Sequence, residues 1–197
     1  MPAWKHLRTW DSATEAEFGM CCATWYVDRS YPELDCADLA LKLVVDFAAA
    51  RGLPVVLAGS ASLFDSRAHA GTVGSYLFLA QRAVGTAHLR LPTNTRYVGQ
   101  GAGVVRPGRL LLHLTRGLPT HVQVATRVSR DRDWVSIVQG NEWQDTQAGT
   151  APQTGSYRPG PTGSGGTYVR NGLPGGAGDL WPAIEVRAWN FSGWNRT

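Results

Sequence analysis

Cysteine is scarce in this chain. There are three in 197 residues, two of them adjacent at Cys21 and Cys22, which is no framework for cross-linking a protein of this size. A reducing compartment of synthesis is the expectation. Long apolar runs are missing too: no stretch approaches the roughly 18 residues a bilayer span needs, and the opening MPAWKHLRTWDSATEAEF has no uninterrupted apolar segment of a secretory leader. A soluble chain without membrane insertion and without a Sec address is expected. Phosphate-cradling signatures are absent, since there is no GxxxxGK[ST] and no strand-linked GxGxxG, and GAGVVRPG reads as a loop. No second Cys-x-x-Cys or His-x-His spacing stands beside Cys21 and Cys22 to complete a zinc site, so core packing is their reading and neither metal nor cofactor is expected. The net charge of +4, from 19 Lys plus Arg against 15 Asp plus Glu, is scattered rather than gathered into a stripe. This argues against nucleic-acid binding and leaves attraction to an acidic surface open. No internal repeat of roughly 20–50 residues is evident.

What is present suffices for a core. With 43% hydrophobic residues, a single domain over 1–197 is expected. The clearest periodicity lies between Asp35 and Arg51, where Cys36, Leu39, Ala40, Leu43, Val44 and Phe47 form one helical stripe, opposed by Asp38, Lys42 and Asp46. Asp35 is a natural N-cap, and Gly52 followed by Pro54 stops the helix. A second helix is expected over about 72–84, carried by Val73, Tyr76, Leu77, Ala80 and Val84. Past LPTNTRYVGQGAG the pattern turns extended. RLLLHL from Arg109, HVQVATRV from His121 and WVSIVQGN from Trp134 read as strands, the last two antiparallel across an SRDRD turn. Within the second, Val122, Val124, Thr126 and Val128 share one face and His121, Gln123, Ala125 and Arg127 the other. From 149 to 178 the chain is rich in Gly, Pro, Thr and Ser, which predicts a flexible insertion. The ending recovers Trp181, Ile184, Val186, Trp189, Phe191 and Trp194, enough for a strand that returns to the core.

Cys36 and His121 are the candidate catalytic pair. At the first turn of a helix, unpaired backbone N–H groups and the macrodipole favour an anion, so the thiol pKa of Cys36 is expected to fall. A nearby imidazole from His121 would form a thiolate–imidazolium pair and later protonate a leaving amine. Gln139 and Asn141 on the next strand are candidates to fix the imidazole, Gln139 being preferred. The backbone N–H of Cys36 with Tyr26 or Tyr31 would stabilise an oxyanion. His6, His69, His88 and His113 read as structural or solvated.

These residues resemble the NlpC/P60 branch of papain-like cysteine peptidases, whose members carry Asp-Cys-Ser-Gly at a helix start and His-Val-Gly at a strand start. The matching pieces are Asp35-Cys36-Ala37-Asp38 and His121-Val122-Gln123, with an upstream tyrosine and RPGRLLLHL where that family has Pro-Gly-Asp before a strand. The likeness covers roughly Trp25 to Asn141. Ala37-Asp38 replaces Ser-Gly, Arg109 replaces the usual acid, and Gln139 stands near where a histidine often serves as third residue. The resemblance implies an α+β, papain-like fold, with N-terminal helices and the nucleophile at a helix start packed on an antiparallel sheet. It implies hydrolysis of an amide in a peptidoglycan peptide. The altered signature looks like divergent type VI secretion effector amidases, which implies an antibacterial toxin made in the cytoplasm, delivered by a secretion system into a target periplasm, and neutralised by an immunity protein.

Two other functions compete. The same residues would serve a deamidase or transglutaminase acting on a host protein, because an acyl-enzyme is resolved by water or by an amine. A non-catalytic binding module would instead present Trp181, Trp189 and Trp194 to a glycan or partner and bury Cys36.

Overall fold

A computed structural model describes residues 4–24, 34–130, 134–140, 153–158, 167–170, 173–177 and 184–196. Helix α1 (Ser12–Cys22) starts where the Asp11 carboxylate accepts the Thr14 N–H at 2.8 Å. Helix α2 (Cys36–Arg51) starts in the same way, the Asp35 carboxylate accepting the Asp38 N–H at 2.7 Å, and it ends at Gly52 in the left-handed region, φ 66°. Thr72 and Ser75 cap each other to open α3 (Val73–Ala83). Between α2 and α3 lies a short hairpin of β1 (Val56–Ala58) and β2 (Leu63–Asp65).

The remaining strands are β3 (Thr95–Gly99), β4 (Leu110–Thr115), β5 (Leu118–Val128), β6 (Val135–Gln139), β7 (Gln153–Arg158), β8 (Thr167–Arg170), β9 (Leu173–Ala177) and β10 (Ile184–Trp189). They form one antiparallel sheet in the order β3-β10-β4-β5-β6-β7-β8-β9. A short helix, α4 (Phe191–Trp194), follows. The protein is thus of the α+β class with antiparallel sheets. The stretch 149–178, read from composition as a flexible insertion, contains β7, β8 and β9. A ladder satisfies backbone N–H and C=O whatever the side chains are, so a Gly-rich segment joins a sheet when an edge strand awaits it. The final apolar segment returns as expected, with β10 between β3 and β4.

The expected stripe on α2 is too narrow. Leu41, Val45 and Ala48 are buried along with Leu39, Leu43, Val44 and Phe47, because α1, α3 and the sheet strands β5 and β6 all pack on this helix. Its polar residues Lys42 and Asp46 pair with each other at 2.9 Å. The sheet face toward the helices contributes Leu110, Leu112, Val122, Val124 and Val138 to the main core, and the other face gathers Leu111, Ala125, Ile137, Ile184 and Val186 around Val105. Trp10, stacked on Phe191 at 3.8 Å and on Phe47 at 5.7 Å, locks the C-terminal turn to α2.

Candidate active site

Asp35 places Cys36 at the first position of α2. The register explains what the sulfur meets there. The β5–β6 ladder runs from Val128↔Val135 to Val124↔Val138, so the first half of β5 extends beyond it. The head of α2 fills that space: a Cβ on Gly140, the residue after β6, would overlap the Asp35 carbonyl. The N–H of Val122 consequently comes close enough to the Cys36 sulfur to favour its anion, as do the Thr86 hydroxyl and the Ala37 N–H. Thr86 stands in a 3-10 turn, Thr86–Arg90, after α3.

These nearby donors favour the thiolate, yet the thiol sits above its usual range. Desolvation outweighs them, and the Asp35 carboxylate adds to the rise. The expected fall of the thiol pKa is therefore corrected: the burial of Cys36 outweighs the helix terminus.

His121 precedes Val122 on β5 and is buried. Its Nε2 lies 3.0 Å from Gln139 Oε1, an oxygen that only accepts, so Nε2 carries the proton and Nδ1 is the basic nitrogen of the neutral ring. Gln139 Oε1 accepts a second hydrogen bond from Gln123 Nε2 at 2.5 Å, and Gln123 Oε1 accepts from His113 Nε2 at 2.8 Å. His113 and His121 are cross-strand partners with ring centroids 5.5 Å apart. The result is a buried polar chain whose members orient one another. Within it His113 is held neutral, its pKa lowered to about 4, chiefly by desolvation and further by the neighbouring His121.

The structure thus brings Cys36 to the backbone beside His121 and joins His121 to Gln139, the preferred third residue, while Asp35 acts as helix cap. Asn141, Tyr26 and Tyr31 lie outside the described residues. Reasoning from sequence missed Thr86, Gly140 and the bonding of His113 and Gln123 into the chain. Only Gln123 carried a signal, being polar on the same strand face as His121. His6, His69 and His88 bond to Ser66, Ser75 and Ser60 respectively, in keeping with structural roles. His88 Nδ1 accepts the Gly85 N–H at 3.0 Å, so its Nε2–H donates to Ser60 and the pair is no nucleophile–base couple.

Trp189 and Trp194 are buried in the main core and Trp181 lies outside the described residues, which removes two rings from the aromatic platform a binding module would need. Cys22 is buried and Cys21 half-buried. Among the described residues no three His, Cys, Asp or Glu side chains group as a metal site would require, and no helix is long and apolar enough to cross a membrane. Comparison of the chain with family models, with curated proteins and with solved structures finds no match to any of them.

Proposed function

We propose that this chain is a cysteine hydrolase of papain-like, NlpC/P60-type build, cutting amide bonds in peptidoglycan peptides. The observation that carries the reading is one juxtaposition: the Val122 N–H approaches the Cys36 sulfur while the adjacent His121 is oriented by Gln139. The thiol rests neutral. In the reaction Nδ1 of His121 takes the thiol proton as sulfur attacks the amide carbon, and negative charge collects on the former carbonyl oxygen. The N–H of Cys36, at the open end of α2, faces that charge. The imidazolium then protonates the departing nitrogen, the C–N bond breaks, and a thioester remains. Water, deprotonated by the same nitrogen, releases the carboxylate and restores the thiol.

The residue resemblance supplies the substrate and the setting. On this reading the protein is an antibacterial effector, made in the cytoplasm, carried by a secretion system into a target periplasm and held in check by an immunity protein. Purified protein should release muropeptides from sacculi, and Cys36→Ala should lower that release at least about a thousandfold. Undiminished release by the variant would remove Cys36 from the mechanism. If sacculi stay intact while protein targets gain about one dalton per converted amide, the same residues serve a deamidase instead.

The raised thiol favours a second reading, in which Cys36 is a buried structural thiol and no cysteine chemistry occurs. Alkylation at graded pH separates the two. Labelling of Cys36 near neutral pH that is lost in His121→Ala supports catalysis with His121 as base; labelling only above the ordinary thiol range and indifferent to His121→Ala supports the structural role.

A further inference from the structure

At the other end of the sheet, about 13 Å along β4 from His113, a cavity of about 410 Å³ opens between α1, the start of β4 and the end of β10. Its floor is apolar, made by Phe18, Trp189 and Phe191, and its rim carries Arg96, Arg106 and Arg109, with Glu15 the one carboxylate among its lining residues. Among the described residues no ion pair joins any of the three arginines to a carboxylate. Arg106 and Arg109 each direct one Nη1 donor to the backbone, to Val105 O at 2.7 Å and to Val104 O respectively, which holds the guanidinium groups in place and leaves further donors on each planar fork. Arg109 is partly buried, and its guanidinium is held below the usual arginine range by desolvation and by the like charges of Arg106 and Arg96.

Three arginines on the rim of a cavity with an aromatic floor call for a ligand that has one anionic end and one apolar end.

We infer that this cavity binds a small amphipathic anion, a phosphate or carboxylate carried on an apolar ring or short chain, with the charged group on Arg96, Arg106 and Arg109 and the apolar part over Phe18, Trp189 and Phe191. The site is separate from Cys36 and His121, so it stands or falls independently of the proposed hydrolysis.

Phenyl phosphate and phenylacetate are suitable probes, with inorganic phosphate and benzyl alcohol as their separate halves. Titration calorimetry on the full chain should give saturable binding of at least one aryl anion, at least about tenfold tighter than either half alone. The double variant R96Q/R106Q, which changes two exposed rim residues, should weaken it at least about tenfold with the unfolding midpoint and any hydrolytic activity unchanged. The relative affinities of phosphate and carboxylate identify the head group. Absence of saturable binding up to about 10 mM, equal binding of benzyl alcohol, or unchanged affinity in R96Q/R106Q would each overturn the assignment.

Discussion

Gln139 does for His121 what a carboxylate or a second histidine does elsewhere, and it does so without placing a second charge in a buried site. Its amide oxygen accepts from both His121 and Gln123, so deleting it leaves two buried donors without that acceptor and frees the imidazole to turn. Gln139→Ala should lower kcat on a peptide substrate by about 10–100-fold with KM little changed. Steady-state kinetics on purified variant and wild type checks this, and an unchanged kcat would show that the ring is oriented by other means. The residue was legible in the sequence because strand alternation put it on the imidazole's side of the sheet. Thr86 was not: fifty residues separate it from Cys36, it sits in a turn, and no periodicity relates the two. The thiol pKa was misread for a related reason, since the helix terminus is a local property of Asp35 and Cys36 and the desolvation that outweighs it is a property of the tertiary contacts.

Among the elements, α2 was the most legible, because cap, stripe and stop agree along one short segment. α1 carries the weakest pattern, its SATEAEFGMCC having no apolar stripe, and it forms because Asp11 caps it and Phe18 joins the aromatic core. What sequence could not supply is the seating of α2 against β6. Gly140 permits it: with no side chain, its backbone lies against the Asp35 carbonyl. Gly140→Ala would push the head of α2 away from β5 and break the Val122 N–H contact to sulfur. The expected cost is about 2–3 kcal/mol, or about 5–10 °C in Tm, together with loss of hydrolysis. Thermal unfolding and an activity assay on the same sample test this; a variant with wild-type Tm and rate would mean that the contact between helix and sheet is not close. The strands β7–β9 illustrate the reverse error. Their composition argues for disorder only if each residue must bury apolar area, and pairing with a growing sheet edge relaxes that demand.

For the molecule as a whole, two half-buried groups set opposing responses to acid. His113 has its pKa lowered from 6.5 to about 4, mainly by desolvation. The unfolded chain therefore binds the proton first, and stability falls as pH drops from about 6.5 to 4. Asp38 has its pKa raised from 3.8 to about 7, mainly by desolvation and then by Asp35. Here the folded chain binds the proton first, so stability is greatest below pH 4 and declines as pH rises toward 7. Across the shared window the slopes of these two groups, each about one proton, nearly cancel, and His6, its pKa lowered chiefly by desolvation, adds to the fall on acidification. Asp38→Asn removes one of them. The variant should match wild type near pH 4, exceed it by about 1–2 kcal/mol at pH 8, and lose stability on acidification more steeply than wild type. Urea unfolding at pH 4, 6 and 8 measures all three, and a variant that is no more stable than wild type at pH 8 would mean that the Asp38 carboxylate is well solvated.

The placement of β10 has a consequence in time. This strand pairs with both β3 and β4, and the two aromatic rings just beyond it, Phe191 and Trp194, complete the cluster around Trp10. During translation β3 and β4 emerge long before it. They must wait, with their facing edges unjoined, until β10 has left the ribosome before the gap is bridged. Maturation of this fold is thus a closing event governed by β10, and a nascent chain arrested before residue 184 should be bound by chaperones, open to proteases and inert.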